Sequence, residues 1–132
     1  MKQLTFAKSY QELAVYKASF RFQQAVFRLS KSFPREEIYS LTDQIRRSSR
    51  SIGANLAEGW SKRPYPAHFL SKLTDADGEL QETLHWLRTA YSCDYVERDL
   101  CSQLVSQAKE IGKMLGSMIT NYLHFCPGAA SH

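Results

Sequence analysis

Glu82-Thr83-Leu84-His85 sets a carboxylate and an imidazole one helical turn apart. Di-iron helical bundles build their centres from two such units and two further inward-facing Glu residues. This chain has one unit. Glu58 and Glu110 offer carboxylates, but a second histidine is missing from the pattern. His68 lies on the same predicted helix, about 25 Å away along its axis. A metal-dependent bundle enzyme using Glu82 and His85 is thus a distant reading. An exposed or interface histidine beside a structural glutamate is the simpler one. No serine sits in the Gly-flanked turn of a nucleophile elbow. The chain has no phosphate-cradling G-x-x-x-x-G-K-[ST] and no dinucleotide fingerprint. Cys93, Cys101 and Cys126 are odd in number and without C-x-x-C spacing. That pattern points to reduced thiols in a cytoplasmic protein, not to a disulfide framework or a zinc site. No catalytic residue, metal ligand or cofactor is assigned.

The second candidate chemistry is electrostatic. Arg46, Arg47 and Arg50, beside Gln44, form the densest basic group. Arg46 and Arg50 are one turn apart and share a helix face, away from Ile45 and Ile52. Lys62 and Arg63 follow at the end of the same helix. On the first helix Lys17, Arg21 and Arg28 fall on one side. A surface joining these cations would neutralise phosphates without reading bases. The competing reading pairs them with Asp75, Asp77, Glu79 and Glu82 on the third helix. Overall charge permits both. The net charge is +4, yet residues 1–66 hold 12 Lys/Arg against 5 Asp/Glu, and residues 67–132 hold 5 against 8. Such an asymmetry suits a nucleic-acid surface. It equally suits basic and acidic elements packed beside each other, within one chain or between subunits.

Helices must position these groups. A chain of 132 residues suits one domain and buries roughly two-thirds of its unfolded surface without a disulfide or metal. The first helix is predicted over residues 9–31, with Leu13, Val15, Ala18, Phe22, Val26 and Leu29 recurring at steps of two to four. Ser9 and Glu12 make a capping-box pattern. The second starts at Pro34 with Glu36 and Glu37 on its positive end. Its seam is Ile38, Leu41, Ile45, Ile52 and Leu56, and Gly59 is the expected left-handed terminator. Residues 60–66 form a linker with Pro64 and Pro66 as breakers. The third helix carries Phe69, Leu70, Leu73, Ala76, Leu80, Leu84, Leu87 and Tyr91. The fourth spans residues 96–122 with Leu100, Leu104, Ala108, Ile111, Leu115, Met118 and Ile119. The folded part is expected over 9–122, and residues 123–132 as a frayed tail. Short connections between amphipathic helices predict an all-α, antiparallel up-down-up-down four-helix bundle. Neither a signal peptide nor an apolar run long enough to span a bilayer is evident.

Some seam positions are polar. Heptad continuation from Leu41 and Ile45 places Ser48 and Asn55 inward, where a buried Asn fixes register. Glu58 is placed to accept from free N–H groups at the start of the third helix. Phe20 and Phe27 make a second apolar stripe on the first helix. An exposed stripe of this kind marks an interface, and a homo-oligomer is the simplest cover for it.

Residues 41–48 read Leu-Thr-Asp-Gln-Ile-Arg-Arg-Ser, and residues 51–59 read Ser-Ile-Gly-Ala-Asn-Leu-Ala-Glu-Gly. This stretch resembles the L-T-x-Q-I-R-R-A…S-I-x-A-N-I-A-E-G pattern of the bacterial four-helix-bundle family of 23S rRNA intervening-sequence proteins. Leu13-Ala14-Val15-Tyr16-Lys17-Ala18 is similar to the family's L-x-V-Y-x-x-A opening, and Phe33-Pro34-Arg35-Glu36-Glu37 to its F-P-x-x-E junction. Phe69-Leu70, Glu82-Thr83 and Trp86-Leu87 match its third-helix pattern, so the resemblance covers about residues 10–120. Pro64 and Pro66 depart from the family's polar helix start, which implies a longer or bent second loop. Asp77-Gly78-Glu79 replaces a small Gly-Ser pair and makes that face more acidic. The resemblance implies a ring-like homopentamer associated with nucleic acid or ribonucleoprotein, and no catalytic residues. A related helical-bundle protein accompanies reverse transcriptases in diversity-generating retroelements.

These observations combine into one expectation: a non-catalytic, homo-oligomeric bundle binding RNA or another nucleic acid through Arg46, Arg47, Arg50, Lys62 and Arg63. Asn55, Glu58 and Gly59 are expected to shape the bundle and its assembly. The alternative is a protein-binding scaffold with no nucleic-acid role.

Overall fold

A computed structural model describes residues 7–128. Four helices make up the fold: α1 (Ala14–Ser30), α2 (Leu41–Ser61), α3 (Pro66–Ser92) and α4 (Arg98–Thr120). No strand occurs among the described residues. The predicted all-α class therefore stands. Each helix packs on its neighbours in sequence, and α1 closes the ring against α4. Two cross-links fix the order of directions. The Tyr95 hydroxyl, just before α4, donates to Glu37 Oε2 before α2 at 2.9 Å. The Phe33 and Tyr95 rings meet at 5.7 Å. The first and third connections thus share one end of the bundle. At the other end Phe69, in the first turn of α3, meets Phe125 beyond α4 at 6.1 Å. These contacts are compatible with the order of an up-down-up-down bundle.

The buried stripes follow helical spacing. Val15, Phe22, Val26 and Leu29 on α1 face Ile45, Ile52 and Leu56 on α2, with Leu73, Ala76, Leu80 and Leu87 on α3 and Leu104, Ala108, Ile111 and Leu115 on α4. On α3 the buried set continues through Thr83 and Ala90, while Tyr91 is 46% exposed. The three-residue steps from Leu80 and Leu87 turn Tyr91 out of the seam. Ser48 and Thr83 carry the polar contact across the core. Their hydroxyl oxygens lie 2.8 Å apart, and Thr83 also approaches the Glu79 carbonyl at 2.9 Å. Buried hydroxyls with partners avoid the cost of an unsatisfied polar group.

Helix ends differ from expectation for local reasons. Before α1 the chain forms a 3-10 turn over Tyr10–Glu12, and Leu13 is extended. Ser9 makes no side-chain cap bond, and the Glu12 carboxylate instead accepts from the Lys8 N–H at 3.0 Å. The capping box is therefore not formed. Pro34 does not begin α2. A 3-10 turn over Arg35–Glu37 is followed by Ser40 at φ −126° and ψ −101°, which breaks the register. Ile38, expected in the seam, is 49% exposed as a result. Pro66 is the first residue of α3, where its missing N–H costs nothing. The connection after α2 is only residues 62–65, not a lengthened loop. Beyond α4, Tyr122–Phe125 form a 3-10 turn and Cys126 is buried. The chain thus stays packed past residue 122, because Phe125 docks on Phe69. The last four residues of the expected frayed tail lie outside the described residues. The three cysteines are free; burial pushes the Cys101 and Cys126 thiols up. Among the described residues no helix is long and apolar enough to cross a membrane.

Glu37 ties the end of the bundle together. Its Oε1 accepts from Ser40 Oγ at 2.7 Å and from the Leu41 N–H at 3.3 Å, capping α2. The Ser40 and Tyr95 hydroxyls hold this carboxyl below its ordinary range. The same bond pushes Tyr95 up to about 12. The lowered carboxyl contributes stability above its unfolded value, and that contribution is lost as pH falls through the folded value. The raised phenol contributes below its unfolded value of about 10 and loses that contribution as pH rises through the folded one. Tyr95→Phe is therefore expected to lower the melting temperature most between about pH 5 and pH 10. The gap from wild type should shrink at both extremes. A pH-independent gap in thermal unfolding followed by circular dichroism would rule this linkage out.

Candidate nucleic-acid interface

The outer face of α2 carries a shallow groove of about 480 Å³ running from Ile38 to Ala54, lined by Arg46, Arg47 and Arg50. Thr42, Asp43 and Ser51 complete its lining. The three arginines sit where the seam residues Ile45 and Ile52 force them, on the solvent side of an amphipathic helix. Their surroundings differ. Arg46 Nε donates to Ser30 Oγ at 2.7 Å, and its guanidinium lies 4.8 Å from the centre of the Phe27 ring. Arg50 lies 5.2 Å from the same ring, and Lys31 Nζ 4.9 Å. Three cations thus gather on one ring, whose negative face offsets part of their repulsion. None of the three makes an ion pair among the described residues. Phe27, from the stripe predicted to be an exposed interface, is instead the half-buried floor beneath these cations; Phe20 of that stripe is 46% exposed.

Arg47, about 100° further round the helix, faces α3. It pairs with Glu82 and lies 3.7 Å from Glu79. The predicted pairing with the acidic third helix is therefore found for this arginine, and the predicted free basic face for Arg46 and Arg50. Glu82 also accepts from Trp86 Nε1 at 3.2 Å, while His85 is exposed against the Trp86 ring at 4.7 Å. The carboxylate of the E-x-x-H unit is thus engaged by Arg47 and Trp86. Among the described residues no three His, Cys, Asp or Glu side chains converge as metal ligands would.

Lys62 and Arg63 are not brought to the groove. They lie beyond the end of α2, about 18 Å past Arg50 along its axis. Arg63 stacks 3.6 Å above Trp60 and donates from Nε to the Trp60 carbonyl at 2.8 Å. Burial pushes its guanidinium pKa down. Lys17, Arg21 and Arg28 are exposed on α1.

Asn55, Glu58 and Gly59 lie on the α2–α3 seam. Asn55 is half-buried at its edge, not in the core; it donates from Nδ2 to the Ser51 carbonyl at 2.9 Å. Its Oδ1 accepts from Lys72 Nζ at 3.5 Å. Glu58 pairs with the same ammonium at 3.1 Å, not with the first N–H groups of α3. The side chain of Lys72 reaches it first from nearly two turns inside that helix. Gly59 lies within α2 and is not left-handed; positive φ among the described residues is confined to Asp94 and Gly128. A Cβ added at Gly59 would stand 2.9 Å from Lys72 Cβ. The glycine therefore serves close helix approach instead of termination.

Lys31 and Asp43 were not singled out from sequence. Lys31 had a readable signal, lying one turn from Phe27. Asp43 had none, since its membership in the groove depends on the bend at Ser40 that exposes Ile38.

The profile of the 23S rRNA-intervening sequence protein family matches residues 11–117. This chain belongs to that family. The matched region runs from the first turn before α1 almost to the end of α4, and it includes the whole basic groove. A crystal structure of a protein of unknown function from the S23 ribosomal protein family of Bacteroides thetaiotaomicron is similar. It shares 32% identity and a TM-score of 0.73, over 80% of this chain and 98% of that one. No curated protein matches the chain. The family resemblance drawn from the Arg46-Arg47 stretch is thereby established, together with the four-helix architecture.

Proposed function

We propose that the chain is a non-catalytic, cytoplasmic, homo-oligomeric bundle that binds RNA or another nucleic acid through the α2 groove. One observation carries this reading: Lys31, Arg46 and Arg50 crowd a single ring with no ion pair to an acidic residue among the described residues. Like charges held this close repel one another, and a bound phosphate relieves that repulsion. The family description, which refers to an intervening sequence of 23S rRNA, points the same way. Arg46 and Arg50 are the principal phosphate contacts. Arg47 divides its charge between the groove and Glu82. Lys62 and Arg63 are outlying contacts for a longer nucleic acid. Asn55, Glu58 and Gly59 set the α2–α3 spacing on which assembly into a homopentamer depends.

The scaffold reading has its own support. Arg47 is already neutralised by α3, and the Tyr10, Tyr16 and Phe20 rings form an aromatic ladder ending at a half-exposed Phe20. The two readings part in a salt series. Purified protein is expected to bind a labelled structured RNA, with log affinity falling linearly against log salt. Mass determination of the free protein in parallel reports the oligomer. An intact oligomer that binds neither RNA nor duplex DNA at low salt would leave the scaffold reading.

A further inference from the structure

Tyr39 is 93% exposed. It makes no hydrogen bond, ion pair or ring contact among the described residues. It directly follows Ile38, which lines the groove with Thr42. Ile38 is itself 49% exposed. Ile38 in the groove lining and the exposed Tyr39 next to it thus hold apolar and aromatic surface in water, with no ring stacked on Tyr39 among the described residues. The nearby N-terminus of α2 is no phosphate site, because the Glu37 carboxylate already occupies it. Asp43, one turn before Arg47 in the same lining, also repels phosphate. The anionic part of a ligand is thus confined to Arg46 and Arg50, and the part over Ile38 and Tyr39 is uncharged.

On the reading that this groove holds nucleic acid, we infer that its ligand is a single strand, with one base stacked on Tyr39 and the adjoining phosphates on Arg46 and Arg50. A duplex keeps its base faces inside the stack. It would touch the arginines alone and leave Ile38 and Tyr39 in water. Nor can α2 enter a major groove as a lone recognition helix, since α1 flanks its basic face through Phe27 and Lys31. A single strand offers free base faces to aromatic side chains while its backbone follows the cations.

The test uses the full chain and equilibrium anisotropy at low salt. The probes are a labelled oligouridylate of about 15 nucleotides, within the range of single-strand site sizes, and an RNA duplex of equal length. Wild type is expected to bind the single strand at least about tenfold more tightly than the duplex. Tyr39→Ala should weaken single-strand binding by about 5- to 150-fold, the span of one lost base stack, and leave duplex binding unchanged. Tyr39→Phe should bind as wild type, because stacking needs the ring and not the hydroxyl. Equal affinity for the two probes, or a silent Tyr39→Ala, overturns the single-strand inference while leaving the groove reading intact. Binding of neither probe overturns both. The wild-type comparison needs no variant, so a misfolded Tyr39→Ala would not shield the inference.

Discussion

Reversing two charges, Arg46→Glu with Arg50→Glu, is expected to lower RNA affinity by about a thousandfold at low salt. Each reversal turns an attraction of about 1 kcal/mol, even at the dielectric of bulk water, into a repulsion of similar size. Two such changes sum to about 4 kcal/mol, or three decades of affinity. The neutral pair Arg46→Gln with Arg50→Gln should lose less. Its salt slope should fall by about 1.4 to 1.8, the contribution of two phosphate contacts. The fold should survive, since neither arginine has an ion pair among the described residues. Ser30 Oγ, which accepts from Arg46, still donates to the Phe27 carbonyl at 2.7 Å. Arg47→Ala is the informative contrast. It should weaken binding less and destabilise the α2–α3 contact more, because its guanidinium is committed to Glu82. Unchanged RNA affinity in the Glu variant, with circular dichroism showing it folded, would remove the groove from the binding site.

Gly59 should respond to added volume against the usual helix trend. In an exposed helix interior Gly→Ala stabilises by about 1 kcal/mol. At Gly59 the new methyl would stand 2.9 Å from Lys72 Cβ and 3.7 Å from Phe69 Cδ1. A Cβ atom cannot swing aside as a side-chain terminus can, so α2 and α3 must move apart. Overpacking of this kind costs about 1–3 kcal/mol. Gly59→Ala is expected to be less stable than wild type by about 1 kcal/mol once the propensity gain is counted. Gly59→Leu, with its branch aimed at buried Phe69, should lose about 3 kcal/mol. Gly116 in α4 meets nothing within 4 Å, so Gly116→Ala should gain about 0.5–1 kcal/mol. Urea unfolding at constant m-value compares all three. A Gly59→Ala midpoint above wild type would show that the helices are not held this close.

The family established over residues 11–117 and the groove on α2 bear on different questions. The first concerns ancestry and architecture. The second depends on a handful of side chains in this chain, and its chemistry is what the charge variants and Tyr39 interrogate. Glu37 and Tyr95 line no part of the groove. They lock the two connections at one end, where Ile38 and Tyr39 emerge.

Helix number, order and most buried positions were legible locally. Apolar residues spaced three and four apart must share a face whatever packs on it, so Phe22, Val26, Ile45, Ile52, Leu73 and Leu104 could be placed from spacing alone. The basic group at Arg46, Arg47 and Arg50 was legible for the same reason: it is what the seam leaves outside. Its division was not. Neighbouring residues on a helix point about 100° apart, and only the flanking helix decides what each meets. Phe27 of α1 collects Arg46 and Arg50, while Glu82 of α3 takes Arg47. The same limit separated Gly59 from its expected role. A glycine near a helix end is consistent with a left-handed stop or with close packing, and the position of Lys72 on the facing helix selects the second. Exposure of Ile38 likewise followed from one bend at Ser40, which moves the start of α2 and with it the register of the first turn. Periodicity determines which residues are inside a helix's own frame. Contacts between helices determine which charges remain free, because free charge is a property of pairs.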